Sequence, residues 1–195
     1  QGKSFISRNM AAILSMAGKK VVLVDADIRK GTLSRTFGHT FGLTTYLSDD
    51  QCKVDDIIRV DGLTKGVDFI PAGHQAPNPS ELLMSKRLEI LVSELRKRYD
   101  YVILDTTPLF AVADANVVAR VTDTTLFIIR VGVQTRSFLP TLERNYQDNR
   151  FKNMCIVLND VDPEDPYKSN YGYGYGYGHH HTSKKGFIKR LRKRR

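Results

Sequence analysis

Gly2, Lys3 and Ser4, at the start of the chain, are of the residue types that bind a nucleotide phosphate. They directly precede a predicted helix and match the last three positions of the phosphate-binding loop G-x-x-x-x-G-K-[ST]. In such a loop the glycine lets the backbone approach the phosphates, the lysine reaches the β and γ oxygens, and the hydroxyl ligates Mg²⁺ at the helix N-terminus. Three residues recur by chance, so the tripeptide alone is a weak signal.

Carboxylates follow two of the predicted strands. Asp25 and Asp27 come directly after the apolar run 21–24, and Asp105 follows the apolar run 101–104. In open α/β sheets, ligands bind at the carboxyl edge of the strands. A single such aspartate is more simply read as a cap of the loop that follows. Two strands that end this way, downstream of the phosphate-binding tripeptide, favour a site for ATP and Mg²⁺.

The elements that must position these residues alternate along the chain. A helix is predicted over 4–17, where apolar residues recur every three or four positions, and Gly18 is placed to end it as a left-handed cap. Several strands are uniformly apolar, which is typical of strands buried on both faces. This pattern predicts an α/β fold, a parallel β-sheet with helices on both faces. The predicted strands are 21–24, 67–70, 101–104, 126–131 and 155–158, and further helices are predicted near 113–120 and 137–149.

The most clearly delimited helix is predicted over 78–98. Asn78 is placed to cap it, Pro79 suits the first turn, and Glu81 completes a capping box. The basic run that ends it suits the negative end of the helix dipole. Its predicted buried stripe consists of Met84, Leu88, Leu91, Val92 and Leu95.

The net charge of +9 is concentrated at one end of the sequence. Eight basic residues lie in 184–195, which leaves a net charge of +1 for the first 183 residues. A nearly neutral body argues against a nucleic-acid-binding face. Cys52 and Cys155 lack metal-ligand spacing and are too few for a disulfide framework, which favours a reduced, cytosolic compartment. No apolar run approaches the roughly 20 residues that span a bilayer, although such a segment could lie upstream.

The composition changes after residue 161, so we predict a folded domain over 1–161 and a flexible tail over 162–195. The tail has no apolar periodicity and cannot bury enough surface to offset its ordering entropy. Its tyrosines alternate with glycine, which suits either acceptor sites that must reach an active site or an adhesive low-complexity linker. The basic end either is simply solvated or binds an anionic membrane surface. The tail tyrosines are Tyr167, Tyr171, Tyr173, Tyr175 and Tyr177.

In order and spacing, these motifs resemble those of the bacterial tyrosine kinases of capsule and exopolysaccharide synthesis. GKS, VVLVDADIR and YVILDTTP resemble that family's Walker A, Walker A′ and Walker B motifs. The resemblance runs from Gly2 to Asn159 and continues into the tyrosine-rich tail. It includes Gly42-Leu43, Tyr46-Leu47, Pro71-Ala72-Gly73, Asn78-Pro79-Ser80-Glu81-Leu82-Leu83, Asp114 and Val157-Leu158-Asn159.

The resemblance implies a P-loop fold similar to that of MinD and ParA, with the phosphoryl group passed to a tyrosine hydroxyl. It implies that Lys3 contacts the β and γ phosphates and that Ser4 ligates Mg²⁺. Asp105 would hold the metal directly or through water. Asp25 and Asp27 would share metal positioning and activation of the incoming phenol, and which does which stays open. A carboxylate pair with Mg²⁺ and a lysine is sufficient for phosphoryl transfer, which depends mainly on positioning and charge neutralisation.

Further roles follow from the same resemblance. Asn159 resembles the adenine-contacting asparagine of the MinD-like fold, and its alternative is a turn residue. The resemblance also implies that the five tail tyrosines are the acceptors of autophosphorylation. The rival functions are a MinD/ParA-type ATPase switch without kinase activity and a scaffold that has lost catalysis.

The partners implied are other copies of the chain for trans-phosphorylation, a membrane polysaccharide chain-length or export protein (upstream on the same chain or separate), and a tyrosine phosphatase. The implied location is the cytoplasmic side of the bacterial inner membrane. The sequence departs from the family at its start, because the first half of the Walker A loop and the strand before it are absent, so the domain is N-terminally truncated. We therefore predict that this segment alone binds ATP poorly.

Overall fold

In the computed structural model, strand β1 (Val21–Asp25) lies inside a four-stranded sheet, and all five of its residues are buried. The chain is described in four stretches, residues 2–37, 41–108, 114–133 and 135–161. Strand β1 pairs in parallel with β3 (Val67–Ile70) on one side and with β4 (Tyr101–Asp105) on the other. An uninterrupted run of β-branched and aliphatic residues suits a strand covered on both faces.

Strand β2 (Arg59–Thr64) forms an edge of this sheet and was not predicted from the sequence. It pairs with β3 in the antiparallel sense, so the sheet is mixed rather than wholly parallel. The two strands are joined by a short turn in which Gly66 has a positive φ of 80°. Strand β2 has little apolar alternation and Val60 is exposed, which is why the pattern that identified the buried strands did not detect it.

Strands β5 (Thr125–Arg130) and β6 (Met154–Asn159) form a separate parallel pair. Among the described strands, β4 is paired with β1 alone and β5 with β6 alone. A groove of about 840 Å³ separates the two sheets, with residues of β4 and β5 on its walls and residues of the first and fifth helices beside them. The predicted sheet is therefore divided at this groove, because no described segment bridges it.

Helices cover both faces of the four-stranded sheet, as predicted. Val22 and Val24 point towards one apolar cluster, and Val21 and Leu23 point towards another, because successive side chains of a strand face opposite sides. Helix α1 packs on the second cluster through Ala11. The α/β fold class is thus confirmed. The helices are α1 (Lys3–Met16), α2 (Leu43–Ser48), α3 (Val54–Ile57), α4 (Pro79–Met84), α5 (Lys86–Arg98), α6 (Asp114–Ala119) and α7 (Leu139–Gln147).

The predicted boundaries of α1 are confirmed to within a residue, and Gly18 follows it with a φ of 77°. The predicted helix 78–98 is wrong as a single element. Ser85 is extended and divides it into α4 and α5. As a result Met84, which was predicted to be buried, is 52% exposed, while Leu83 is completely buried in its place.

Three remaining observations concern the rest of the sequence. Cys52 and Cys155 are both free thiols. Within the described ranges, the structure contains no helix that is both long enough and apolar enough to cross a bilayer. The tail tyrosines and the basic run 184–195 lie outside the described residues.

Candidate active site

The site begins at the N-terminus of α1, where Gly2 precedes the helix with a φ of 95°. This left-handed conformation is one that glycine adopts at no steric cost. The Ile6 amide donates to the Gly2 carbonyl at 2.9 Å and closes the first helical turn. A methyl group at Gly2 would overlap the side-chain amide nitrogen of Asn159. The fold therefore brings Asn159, at the end of β6, against the start of the phosphate-binding segment.

Asp105, at the end of β4, is hydrogen-bonded to two hydroxyls of α1. The Ser4 hydroxyl donates to Asp105 Oδ2 at 2.5 Å, and the Ser7 hydroxyl donates to Asp105 Oδ1 at 3.1 Å. Burial raises the pKa of Asp105, while the two serine hydrogen bonds and the nearby charge of Lys3 act in the opposite direction. The strand end and the helix N-terminus are thus held together at a carboxylate.

Asp25 lies directly beside Asp105, because the two residues are paired in register on β1 and β4. Its Oδ2 accepts hydrogen bonds from the Ser34 amide at 2.9 Å and from the Ser34 hydroxyl at 2.6 Å. Its Oδ1 is buried and has no hydrogen-bond partner. The pKa of Asp25 is raised to about 6, mainly by burial and also by the carboxylates of Asp105 and Asp27, while the hydrogen bonds from Ser34 act in the opposite direction.

Asp27 is also buried and lies in the loop that follows β1. The Lys30 amide donates to Asp27 Oδ1 at 3.2 Å, and the Gly31 amide donates to the Asp27 carbonyl at 2.6 Å. Its charge adds to the raised pKa values of both Asp25 and Asp105.

The structure therefore brings Lys3, Ser4, Asp25, Asp27 and Asp105 together at the carboxyl edge of the four-stranded sheet. The donor set suits a hard cation, since carboxylates and a hydroxyl are oxygen ligands. The buried and unpartnered Oδ1 of Asp25 is an oxygen that such a cation would satisfy. No group of three or more His, Cys, Asp or Glu side chains in the described part of the chain could enclose a metal by itself. Mg²⁺ does not require such a cage, because it usually keeps several waters and binds through one or two carboxylates and the substrate phosphates.

Two hydroxyls of the site were missed by the sequence analysis. Ser7 stands three positions after Ser4, so it lies on the same face of α1, and that spacing could have identified it. Ser34 comes from a 3₁₀ turn (Ser34–Phe37), and its hydroxyl also accepts a hydrogen bond from the Ala72 amide at 2.7 Å. No sequence pattern indicates this partner, since it depends on how the loops after β1 and β3 meet.

A polar cluster next to the site joins three elements. Arg29 Nε donates to Asp114 Oδ2 at 2.5 Å, and Arg29 also donates to the Ser80 hydroxyl at 2.8 Å. The Ser80 hydroxyl donates to Asp114 Oδ1 at 2.6 Å. Hydrogen bonds from Arg29 and Ser80 lower the pKa of Asp114, which is almost completely buried. The cluster connects the loop that carries Asp27 to α4 and α6. The sequence analysis noted Asp114 and Ser80 in the resemblance without assigning them a contact.

Comparison with known proteins identifies the family and the fold of the chain. A family described as an AAA domain matches residues 1–139. The chain is 40% identical over 162 residues to a putative tyrosine-protein kinase of the cps region of Klebsiella pneumoniae, a match that covers 82% of this chain and 22% of that protein. The chain thus spans about a quarter or less of the curated relatives that it matches.

Two solved structures are informative. The kinase domain of the Escherichia coli tyrosine kinase ETK superposes with a TM-score of 0.76 at 35% identity, over 90% of this chain and 68% of that domain. The septum site-determining protein MinD of Pyrococcus horikoshii, complexed with Mg-ADP, gives a TM-score of 0.61 at 19% identity, over 80% of this chain and 63% of that one. The second similarity establishes the fold alone.

Proposed function

Because this chain belongs to the bacterial tyrosine-kinase family and contains its AAA domain, we propose that it transfers the γ-phosphoryl group of ATP to tyrosine hydroxyls, including those of its own tail. The observation that carries the proposal is the convergence of Asp25 and Asp105 in register beside the Ser4 hydroxyl, with Asp27 and Lys3 next to them. Phosphoryl transfer requires mainly positioning and neutralisation of charge, and these residues supply both.

The start of α1 binds the phosphates in this proposal. The amide groups at the helix N-terminus point their partial positive charge at an anion, and Lys3 adds a full charge there. Gly2 leaves room for the backbone to approach the phosphate oxygens. Asn159 lies against Gly2, and we propose that it contacts the adenine.

The oxygens of Ser4, Asp105 and Asp25 would hold Mg²⁺. When bound, the metal neutralises charge on the phosphate oxygens. The present hydrogen bond from Ser4 to Asp105 would be exchanged for shared contact with the cation, and Oδ1 of Asp25 would gain the partner that it lacks.

A carboxylate at the end of β1 accepts the phenolic proton of the acceptor tyrosine. Asp25 is almost wholly enclosed and is engaged by Ser34, whereas Asp27 is held by a single amide hydrogen bond at its Oδ1. For this reason we propose that Asp27 accepts the phenolic proton and that Asp25 positions the metal. A tyrosine hydroxyl has a pKa of about 10, so it is neutral at rest and gains from a nearby base.

The proposed acceptors are Tyr167, Tyr171, Tyr173, Tyr175 and Tyr177. The glycines between the last four permit an extended chain, which lets a tyrosine enter an active site. Several acceptors on one short segment suit transfer between neighbouring copies of the chain, so we propose self-association as a condition of activity. A tyrosine phosphatase would reverse the modification, and the relative named for the cps region suggests a role in capsule synthesis with a membrane export or chain-length protein.

The test is to incubate the full-length protein with labelled ATP and Mg²⁺ and to detect phosphotyrosine. We expect label on tyrosine, reduced by about 100-fold or more in Lys3→Met and Asp27→Asn. Lys65→Met and Asp123→Asn, at exposed positions, are the matched controls and should keep full activity. Release of free phosphate without phosphotyrosine would instead support an ATPase switch, and neither product would support a scaffold.

We also propose that the basic run 184–195 holds the tail at the anionic cytoplasmic surface of the inner membrane. Each basic residue near anionic lipid contributes about 1 kcal/mol, and each tyrosine phosphate adds about −1.5 to −2 charges that oppose this attraction. Co-sedimentation with vesicles containing anionic lipid should therefore be weaker for the phosphorylated protein than for the unmodified one. Identical binding of the two forms would exclude this regulation.

A further inference from the structure

A second, smaller pocket of about 210 Å³ opens beside the candidate active site. Its lining includes the buried residues Ile28 and Ala72 and residues of the loop that follows Asp27. The volume holds several waters but is below that of a typical site for a drug-sized ligand. The lining residues are Ile28, Arg29, Lys30, Gly31, Ser34, Arg35, Ala72, Gly73 and Gln75.

Three of the nine residues that line the pocket are basic. Arg29, Lys30 and Arg35 line it, and no carboxylate is among its lining residues. Arg29 is neutralised by Asp114 from outside the pocket. Within the stretches that the structure describes, no acidic side chain pairs with Lys30 or Arg35. Two uncompensated cations around one cavity favour an anionic occupant.

The pocket shares its wall with the catalytic carboxylates. Ser34 lines it and donates two hydrogen bonds to Asp25. Lys30, which also lines it, donates its amide hydrogen to Asp27. An anion in this pocket would therefore contact residues that are themselves hydrogen-bonded to Asp25 and Asp27.

We propose that this pocket binds the phosphate of a phosphotyrosine that flanks the acceptor tyrosine on the same substrate segment. Arginine pairs with phosphate through parallel, charge-assisted hydrogen bonds, and basic clusters are a general means of recognising phosphorylated peptides. The inference deepens the proposed kinase function and rests on it for the identity of the substrate.

The spacing of the tail tyrosines suits such an arrangement. Tyr171, Tyr173, Tyr175 and Tyr177 are separated by one glycine each. In an extended chain, side chains two positions apart point to the same side and lie about 7 Å apart. One phosphorylated tyrosine would thus occupy the basic pocket while the next acceptor along the segment reaches Asp27. The first modification of the cluster would then promote the following ones.

The binding experiment needs no catalysis. Full-length protein in which the five tail tyrosines are replaced by phenylalanine is titrated, without ATP, into a fluorescent peptide of the sequence 170–178 that carries phosphotyrosine at position 173. We expect it to bind about tenfold more tightly than the unmodified peptide. The double variant Lys30→Gln/Arg35→Gln should lose this preference, whereas the control Lys65→Gln/Arg144→Gln, which removes two exposed basic residues elsewhere, should keep it.

The kinetic experiment uses the same peptides as substrates with ATP and Mg²⁺. We expect KM for the phosphorylated peptide to be about tenfold lower than for the unmodified one, and Lys30→Gln/Arg35→Gln to raise it to the unmodified level. Inorganic phosphate should compete with the phosphorylated peptide and not with the unmodified one.

The two experiments separate the failure of this proposal from the failure of the kinase function. The proposed phosphotyrosine site is contradicted if the two peptides bind equally well. It is also contradicted if the control variant loses the preference as fully as Lys30→Gln/Arg35→Gln does. Phosphotyrosine-selective binding that depends on Lys30 and Arg35 supports the pocket even if no peptide is phosphorylated, in which case the kinase function is what fails. Circular dichroism of every variant confirms that each is folded.

Discussion

At the scale of single residues, the buried carboxylate of Asp25 belongs to the candidate active site but lowers the stability of the fold when it is ionised. Burial raises its pKa to about 6, whereas an aspartate in an unfolded chain titrates near pH 3.9. The folded chain therefore holds this proton more tightly than the unfolded chain does. The stability that comes from protonated Asp25 is fully present below about pH 4 and is lost as the pH rises through 6. At neutral pH the ionised carboxylate opposes folding.

We expect Asp25→Asn to stabilise the protein at pH 7.5 in the absence of Mg²⁺ and nucleotide. The amide removes the buried charge and keeps an oxygen that can accept both hydrogen bonds from Ser34. The gain should be up to about 3 kcal/mol, since each unit of pKa shift corresponds to about 1.4 kcal/mol. Urea unfolding at pH 7.5 and at pH 4 measures it, and the gain should disappear at the lower pH.

The exposed Asp123 supplies the control for this prediction. Asp123→Asn removes a surface ion pair with Arg96 and should change stability by no more than about 1 kcal/mol. A gain from Asp25→Asn that is the same size at both pH values would contradict the assigned cause, because it could not come from ionisation of the buried carboxyl.

At the scale of elements, the break between α4 and α5 decides which side chains enter the core. Both helices pack against α2, but α4 also packs against α6 whereas α5 packs against β4. Ser80, in the first turn of α4, is tied to Asp114 at the start of α6. One straight helix could not make both sets of contacts. Because Ser85 is extended, α4 and α5 can point in different directions and each can reach its own neighbours.

Leu83 and Met84 allow a direct test of this break. We expect Leu83→Ala to lower the free energy of unfolding by about 3 kcal/mol, because it leaves a cavity in the core. Met84→Ala should change it by no more than about 0.5 kcal/mol, because that side chain is half exposed. Chemical denaturation of the two variants measures both values. If Met84→Ala lowered the free energy of unfolding more than Leu83→Ala does, the result would support one uninterrupted helix instead of α4 and α5.

At the scale of the whole molecule, the groove between the two sheets is the most consequential feature. Strands β4 and β5 both border it, and Lys3 and Ser7 of α1 line the same space. An extended segment placed there would pair with strand edges on both sides and would lead directly to the phosphate-binding residues. The groove therefore directly borders the phosphate-binding residues.

We expect that adding an extended segment before Gln1, able to pair with β4 and β5, would make the protein bind ATP more tightly than the 195-residue chain does. The reason is that a strand in the groove would hold the N-terminus of α1 and the end of β4 in one rigid arrangement, which lowers the ordering cost of binding. Isothermal titration calorimetry with Mg²⁺ and ATP on both forms is the measurement, and the difference should be about tenfold or more. Equal affinities would show that the groove does not matter for the site.

The sequence alone predicted the buried parallel strands β1 and β3 and the aspartates at the carboxyl ends of β1 and β4. It also predicted β5 and β6 from apolar runs, but Leu126, Ile156 and Leu158 on these strands are exposed. Asp25 and Asp105 were predictable because apolar runs identify buried strands, and parallel strands place their carboxyl ends at one edge whatever the loops do. The same argument, with the tripeptide at the start of α1, predicted the phosphate-binding segment. These predictions require only the direction of the chain and the local pattern of apolar and polar residues.

Tertiary structure alone decided the partners of those residues. Ser34 reaches Asp25 because the loops after β1 and β3 meet, and Arg29 reaches Asp114 across 85 positions of the sequence. The antiparallel edge strand β2 and the break at Ser85 likewise follow from packing between distant elements. Such contacts depend on the free energy of the whole folded core. Local sequence periodicity contains no information about them, because the residues that meet are far apart in the sequence.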